Sequence, residues 1–308
     1  MSPASYRTAP PRGTRDNTST RSGSARIEAV AEVSPGWEDG GVPAVLSLAV
    51  AQFAPIADRS ANLERIRLLA AQAASRGARV LVLPEYSSFF VDPFDASLRE
   101  NAEHGPDGTF VLGLREIAVR EDLTLVAGLV EAADADRVHN TVVAVDASGV
   151  VASYRKQHLY DAFGQQESDW VAPGELDEPQ TFTVDGVVFG IMTCYDLRFP
   201  EAARRIVDAG AHVILVPAEW VRGPLKEQQW QTLLAARAIE STAFVAAADH
   251  PAPIGVGHSV ILDPQGVVLA GLATGEGLAV APIDLDELAR IRVVNPALQL
   301  RRYRVVPR

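Results

Sequence analysis

Two eight-residue runs, Gly77-Ala-Arg-Val-Leu-Val-Leu-Pro84 and Gly210-Ala-His-Val-Ile-Leu-Val-Pro217, resemble each other position by position. Each is apolar on successive residues rather than alternate ones, so both faces of the strand must be covered. Each follows a helical pattern and stops at a proline. The repetition of helix, glycine and doubly covered strand predicts two pseudo-symmetric α/β halves, each with its own sheet.

The rest of the chain fits that frame. Strands are predicted over 45–53, 78–84, 123–131, 141–146, 150–155, 181–193, 211–217, 243–249, 258–263 and 278–284. Helices fit 60–76, 109–121, 200–209 and 225–241, with Ser60 as the N-cap of the first and Gly77 in its left-handed C′ position. Residues 1–43 are rich in Ser, Pro, Thr, Gly and Arg without an apolar period. They read as a disordered extension, leaving a folded domain over 44–308. Their Arg/Ser/Thr-rich start resembles an organellar transit peptide, but Asp16 and the lack of an amphipathic stripe oppose that reading.

With 47% apolar residues in 308, a large core is available, and a net charge of −11 argues against nucleic acid or an anionic membrane as partner. No apolar run approaches the roughly 20 residues that span a bilayer. Cys194 is the only cysteine, which excludes an intramolecular disulfide and a Cys-rich metal site and suits a reducing, cytoplasmic compartment. The six histidines show no HExxH or paired-ligand spacing, and P-loop, GxGxxG and GxSxG motifs are all missing.

Three segments carry candidate chemistry. Phe189-Gly-Ile-Met-Thr-Cys194 runs from a buried strand into Tyr195-Asp-Leu-Arg-Phe-Pro200, a strand–turn–helix pattern that presents a nucleophile beside backbone N–H donors. A lone cysteine is more commonly a small inert core residue. Glu85 directly follows Pro84 at the end of an apolar strand, where partial desolvation makes a carboxylate a competent base; a capping or salt-bridging acid is the alternative. Lys156, in Tyr154-Arg-Lys-Gln-His-Leu-Tyr-Asp161, is either an oxyanion donor or a solvated surface charge.

Taken together, Leu-Pro-Glu85, Tyr-Arg-Lys156-Gln-His-Leu-Tyr-Asp and Met-Thr-Cys194-Tyr-Asp-Leu-Arg-Phe-Pro-Glu resemble, in order and spacing, the Glu–Lys–Cys signatures of the nitrilase superfamily of carbon–nitrogen hydrolases. Further matches are Glu167-Ser-Asp-Trp-Val-Ala-Pro-Gly174, Gln229-Trp-Gln-Thr-Leu-Leu-Ala-Ala-Arg-Ala-Ile-Glu240 and Gly257-His-Ser-Val-Ile-Leu-Asp-Pro-Gln-Gly266. The resemblance runs from about Val45 to Tyr303 and is nearest the Nit-type amidases, a branch that includes omega-amidase and deaminated-glutathione amidase.

The resemblance implies a four-layer α-β-β-α sandwich, paired into a homodimer or higher oligomer, with the stretch Val293–Val306 as a C-terminal arm. It implies Cys194 as nucleophile, Glu85 as general base, Lys156 as oxyanion donor, Glu167 in support, and the Tyr195 backbone N–H as second oxyanion donor. Arg198, Glu219, Trp220 and His158 are candidates for holding substrate. The expected reaction releases ammonia from a small ω-amide through a thioester, with no metal or organic cofactor. Nitrile or N-carbamoyl hydrolysis uses the same triad and is the enzymatic alternative; a catalytically silent binding or scaffold protein is the alternative from another class.

Overall fold

The computed structural model describes residues 45–134, 136–176 and 178–307; the extension expected over 1–43 lies outside the described residues. In chain order the elements are β1 (Val45–Gln52), α1 (Arg59–Ser75), β2 (Val80–Val82), α2 (Ser97–Glu100), α3 (Thr109–Glu121), β3 (Thr124–Ala132), β4 (Val138–Asp146) and β5 (Gly149–Arg155). After a short 3-10 turn at Glu167–Asp169 come β6 (Thr181–Val184), β7 (Val187–Ile191), a 3-10 turn at Cys194–Arg198, α4 (Pro200–Asp208), β8 (Val213–Pro217) and α5 (Lys226–Ser241). The chain closes with β9 (Phe244–Ala248), β10 (Val260–Leu262), β11 (Val268–Gly271), β12 (Gly277–Asp284) and α6 (Leu285–Val294).

The strands form two six-stranded sheets, ordered β12-β1-β2-β3-β4-β5 and β11-β10-β9-β8-β7-β6. In each sheet three consecutive strands are parallel, β1-β2-β3 in one and β7-β8-β9 in the other, and the remaining pairings are antiparallel. The echoed runs occupy equivalent places, with β2 and β8 each central in a parallel trio. Gly77 and Gly210 take the left-handed turn before them, at φ +79° and +96°. The two-halves expectation therefore holds at the level of strand order.

Side-chain alternation along these two strands builds the layers. Val80 and Val82 meet Val213 and Leu215 in the core between the sheets. Leu81 and Leu83 face Leu69 and Leu114 of α1 and α3, while Ile214 and Val216 face Ile206 and Leu234 of α4 and α5. Each buried aliphatic side chain contributes about 1.5–3 kcal/mol relative to exposure. The result is the α-β-β-α sandwich expected from the sequence.

Several boundaries differ from the sequence reading. Helix α1 begins one turn-position earlier than Ser60, because the Asp58 carboxylate accepts the N–H groups of Ser60 and Ala61 and so takes the N-cap. The single strand predicted over 181–193 is a hairpin, turned at Asp185-Gly186 with both residues at positive φ. Strand β4 starts three residues earlier than predicted, bringing Asn140 into the sheet, and β11 and α6 were not predicted.

One close approach positions the site. The chain leaves β2 through Pro84 and Glu85 and turns at Tyr86, which has a left-handed φ of 56°. There it lies against Gly128 of β3, where an added Cβ would stand 2.5 Å from the Tyr86 nitrogen and 2.7 Å from the Glu85 Cα. Both contacts are backbone, so neither can swing away. Gly128→Ala should lower stability by about 1–3 kcal/mol, the cost typical of overpacking, measured by urea unfolding.

Candidate active site

Lys156 follows β5 directly and is buried with its ammonium between two carboxylates. Its Nζ lies 3.0 Å from Glu85 Oε1, and 3.0 and 2.9 Å from the two oxygens of Glu167. Asn140 donates from Nδ2 to Glu85 Oε1 at 2.6 Å and to Glu167 Oε1 at 3.3 Å. The Tyr86 hydroxyl donates to Glu167 Oε1 at 2.9 Å, and the Tyr160 N–H to Oε2 at 2.6 Å. Burial pushes the Glu85 carboxyl above its ordinary value, with Lys156 opposing the shift. Burial would lower the Lys156 ammonium, but Glu167 and Glu85 override it and hold its pKa well above the usual lysine value. The lysine stays charged.

Cys194 begins the 3-10 turn after β7 and has a left-handed φ of 47°, unusual for a residue with a side chain. Thr193 and Asp196 lock the turn reciprocally: the Thr193 N–H donates to Asp196 Oδ2 at 3.1 Å, and the Asp196 N–H to the Thr193 side chain. Asp196, fully buried, also accepts from the Tyr154 hydroxyl at 2.7 Å and from the His158 N–H at 3.0 Å. Burial pushes the thiol well above its ordinary pKa, and the Glu85 carboxylate adds to the shift while Lys156 opposes it. At neutral pH the sulfur is therefore a thiol.

The backbone of Glu219, two residues beyond β8, joins these parts. Its N–H donates to Glu85 Oε2 at 2.6 Å, and its carbonyl accepts from Cys194 Sγ at 3.3 Å. The thiol opens onto a small pocket of about 200 Å³ whose wall includes Tyr160, Tyr195, Arg198, Glu219, Trp220 and Lys226. Arg198 stacks its guanidinium over Trp220 at 4.9 Å and Phe163 at 5.4 Å; the Lys226 ammonium sits 4.1 Å from the Phe163 ring centre and bonds the Tyr160 hydroxyl at 2.6 Å. Among the described residues neither cation has a carboxylate within ion-pair distance. Arg198 Nε is buried without a hydrogen-bond partner. Burial, then the neighbouring Arg198 charge, lowers the Lys226 pKa.

The structure thus brings together Glu85, Lys156, Glu167 and Cys194, and sets Tyr195, Arg198, Glu219 and Trp220 around the pocket. It does not bring His158 there. That ring bonds Asp196 Oδ1 through Nδ1 at 2.7 Å and stacks on Phe199 at 3.8 Å, so it supports the cysteine turn instead of the pocket wall. Sequence reasoning missed Asn140, Tyr86, Tyr160 and Lys226. Asn140 left one signal, a polar amide two positions before the apolar run Val142–Val145. Among the described residues no His/Cys/Asp/Glu group is arranged to hold a metal ion.

Removing one partner of a buried ion pair leaves the other uncompensated, which typically costs about 3–5 kcal/mol. Lys156→Ala should lose that much at pH 8. Glu85 then has no cation to oppose its upward shift, so the folded state holds a proton that the unfolded state releases. Stability of the variant must fall as pH rises, and urea unfolding at pH 5 should show a smaller deficit than at pH 8.

Comparison with known proteins agrees with this geometry. The carbon-nitrogen hydrolase family matches residues 47–293. A deaminated glutathione amidase from Escherichia coli O157:H7 is 38% identical over 256 residues, covering 83% of this chain and 97% of that protein. A 2-oxoglutaramate amidase from Bacillus subtilis is 38% identical over 229 residues, covering 72% of this chain and 84% of the relative. An amidase from Nesterenkonia sp. AN1, solved with the acetamide moiety of fluoroacetamide covalently added at its active-site cysteine, superposes with a TM-score of 0.72 at 29% identity, covering 85% of this chain and 97% of that one. Fold, motif order and relatives converge: the chain belongs to the carbon-nitrogen hydrolase family of the nitrilase superfamily, in its Nit-type amidase branch.

Proposed function

We propose that the protein is an amidase whose substrate is a small amide bearing a carboxylate on its acyl part, hydrolysed through a thioester on Cys194. The observation that carries this reading is the pocket itself: a thiol, a buried Glu–Lys pair one peptide unit away, and two cations without anionic partners. Arg198 and Lys226 suit a carboxylate, which would restore the charge balance of a partly desolvated pair. The substrates named for the two relatives, deaminated glutathione and 2-oxoglutaramate, fit a Nit-type amidase with such a pocket.

In this reading the Cys194 sulfur attacks the amide carbon as its proton passes to Glu85, forming the S–C bond. The oxyanion is stabilised by the Lys156 ammonium and the Tyr195 N–H. Glu85 returns the proton to nitrogen, the C–N bond breaks and ammonia leaves. Glu85 next takes a proton from water as its oxygen adds to the thioester carbon. The C–S bond then breaks and the proton returns to sulfur. Glu167 holds the ammonium together with Glu85, and Glu219 and Trp220 shape the wall beside the reacting carbon. No step calls for a metal or organic cofactor.

The reading also keeps residues 44–308 as the catalytic body, with 1–43 as an extension, in a cytoplasmic homodimer. Exposed Val293, Val294, Leu300, Tyr303 and Val306, between 70% and 91% accessible, support the C-terminal arm as a surface for a second subunit. No described helix is long and apolar enough to cross a membrane.

The test is ammonia release from a panel of amides, with nitriles and carbamoyl amino acids included. Wild type should favour carboxylate-bearing ω-amides, mass spectrometry should find an acyl adduct on Cys194, and Cys194→Ala should be inactive but folded. Full activity in that variant overturns the mechanism. Lys156→Ala should lose about 10²–10³ in kcat, and arginine should not rescue it. Arg198→Ala should raise KM about tenfold for a carboxylate-bearing amide and leave a neutral amide unchanged, since one charge-assisted bond is worth roughly that factor. Equal effects on both would remove Arg198 from substrate recognition.

A further inference from the structure

The end of β9 holds two buried titratable residues that the mechanism above does not use. Asp249 is fully buried, and no cation lies within ion-pair distance of it among the described residues. Its Oδ1 accepts the Trp220 N–H at 2.7 Å and its Oδ2 accepts the Gly257 N–H at 3.0 Å. Its own N–H donates to Ser259 Oγ at 2.9 Å. The next residue, His250, places Nε2 2.8 Å from the Glu85 carbonyl oxygen. Burial lowers that imidazole to a pKa of about 4, so at neutral pH it is uncharged and Nε2–H donates to the carbonyl.

Glu85 is therefore held from two directions by consecutive residues. His250 grips its main chain. Asp249 grips the Trp220 N–H, whose peptide carries the Glu219 carbonyl on the thiol, and the peptide before it carries the Glu219 N–H on Glu85 Oε2. Burial pushes the Asp249 carboxyl well above its ordinary pKa, with backbone N–H groups opposing the shift, so an acid is a costly choice where an asparagine of the same shape would fit. Asparagine has one acceptor oxygen, however, and the Trp220 and Gly257 N–H groups sit on different oxygens, with the His250 N–H also bonding the carboxyl. The side chain is matched to that double demand.

We propose that Asp249 is a positioning residue for the amidase reaction: it sets the Glu219–Trp220 backbone and, through it, the hydrogen bond that favours the charged form of Glu85. The proposal rests on the amidase reading, and the two fail separately. A wild type without amide turnover overturns the reading; a wild type that turns over beside an unaltered variant overturns only the proposal.

The test is Asp249→Asn, assayed for kcat and KM against pH on whichever amide wild type accepts. Loss of register should lower kcat about 10- to 100-fold while KM changes far less. The sign of the pH effect separates positioning from electrostatics. Glu85 is faced by Lys156 after β5, Glu167 and Asn140, Tyr86 on its own turn, Cys194 after β7, Glu219 after β8, and Asp249 and neutral His250 after β9. Burial disfavours the Asp249 charge, so losing what charge it keeps would at most lower the Glu85 pKa and move the acid limb of kcat/KM down. Losing the Glu219 N–H would move it up. An upward limb with reduced kcat supports the proposal; an unmoved or lowered limb overturns it. If Asp249→Asn does not fold, Ser259→Ala withdraws the acceptor of the Asp249 N–H and must shift kcat and the limb in the same directions, and an unmoved limb there overturns the proposal equally.

Discussion

Everything at the site is arranged around one buried ammonium. Lys156 is 2% exposed and lies within 3.0 Å of two carboxylates from different parts of the chain. Taking three charges out of water is expensive unless geometry and added hydrogen bonds compensate. That requirement explains the company the lysine keeps. Asn140 and Tyr86 add hydrogen bonds to the same Glu85 and Glu167 oxygens that the lysine holds, and the Tyr160 N–H bonds the second oxygen of Glu167. The lysine backbone is fastened too, its N–H to the Asn140 carbonyl and its carbonyl to the Gly174 N–H, both at 2.8 Å.

The same cluster sets the resting state of the sulfur. Acidic groups outnumber the ammonium around Cys194, and burial adds to their effect, so a free thiolate is disfavoured. The thiol's acceptor at rest is the Glu219 carbonyl, a neutral group, and the Glu85 carboxylate is bonded by the N–H of the same residue. The left-handed backbone at Cys194 turns the chain out of β7 at the residue whose thiol lines the pocket.

Much of this was legible in the sequence, and the reason is physical. Apolar runs closed by proline announce buried parallel strands, and the echo between residues 77–84 and 210–217 announced two of them in matched settings. The ends of such strands are where polar side chains can converge, which is why Glu85 and Cys194 stood out. Lys156 stood out only through its motif. The groups that were missed act through geometry that a linear pattern does not carry. Asn140 and Tyr86 are ordinary residues until folding brings Glu167 against them. Asp249 reads as the last residue of an alanine-rich strand, with no sign that it would face backbone N–H groups. His158 erred in the other direction, because nearness to Lys156 in sequence did not become nearness to the pocket.

The pairing of β1 with β12 joins residues 45–52 to residues 277–284. The second sheet is built from a contiguous stretch, 181–271, whereas the first keeps an open edge until residues 277–284 join it. Contacts so distant along the chain are the slow ones to form. The half that carries Cys194 is therefore completed by contacts nearer along the chain than those that complete the half carrying Glu85.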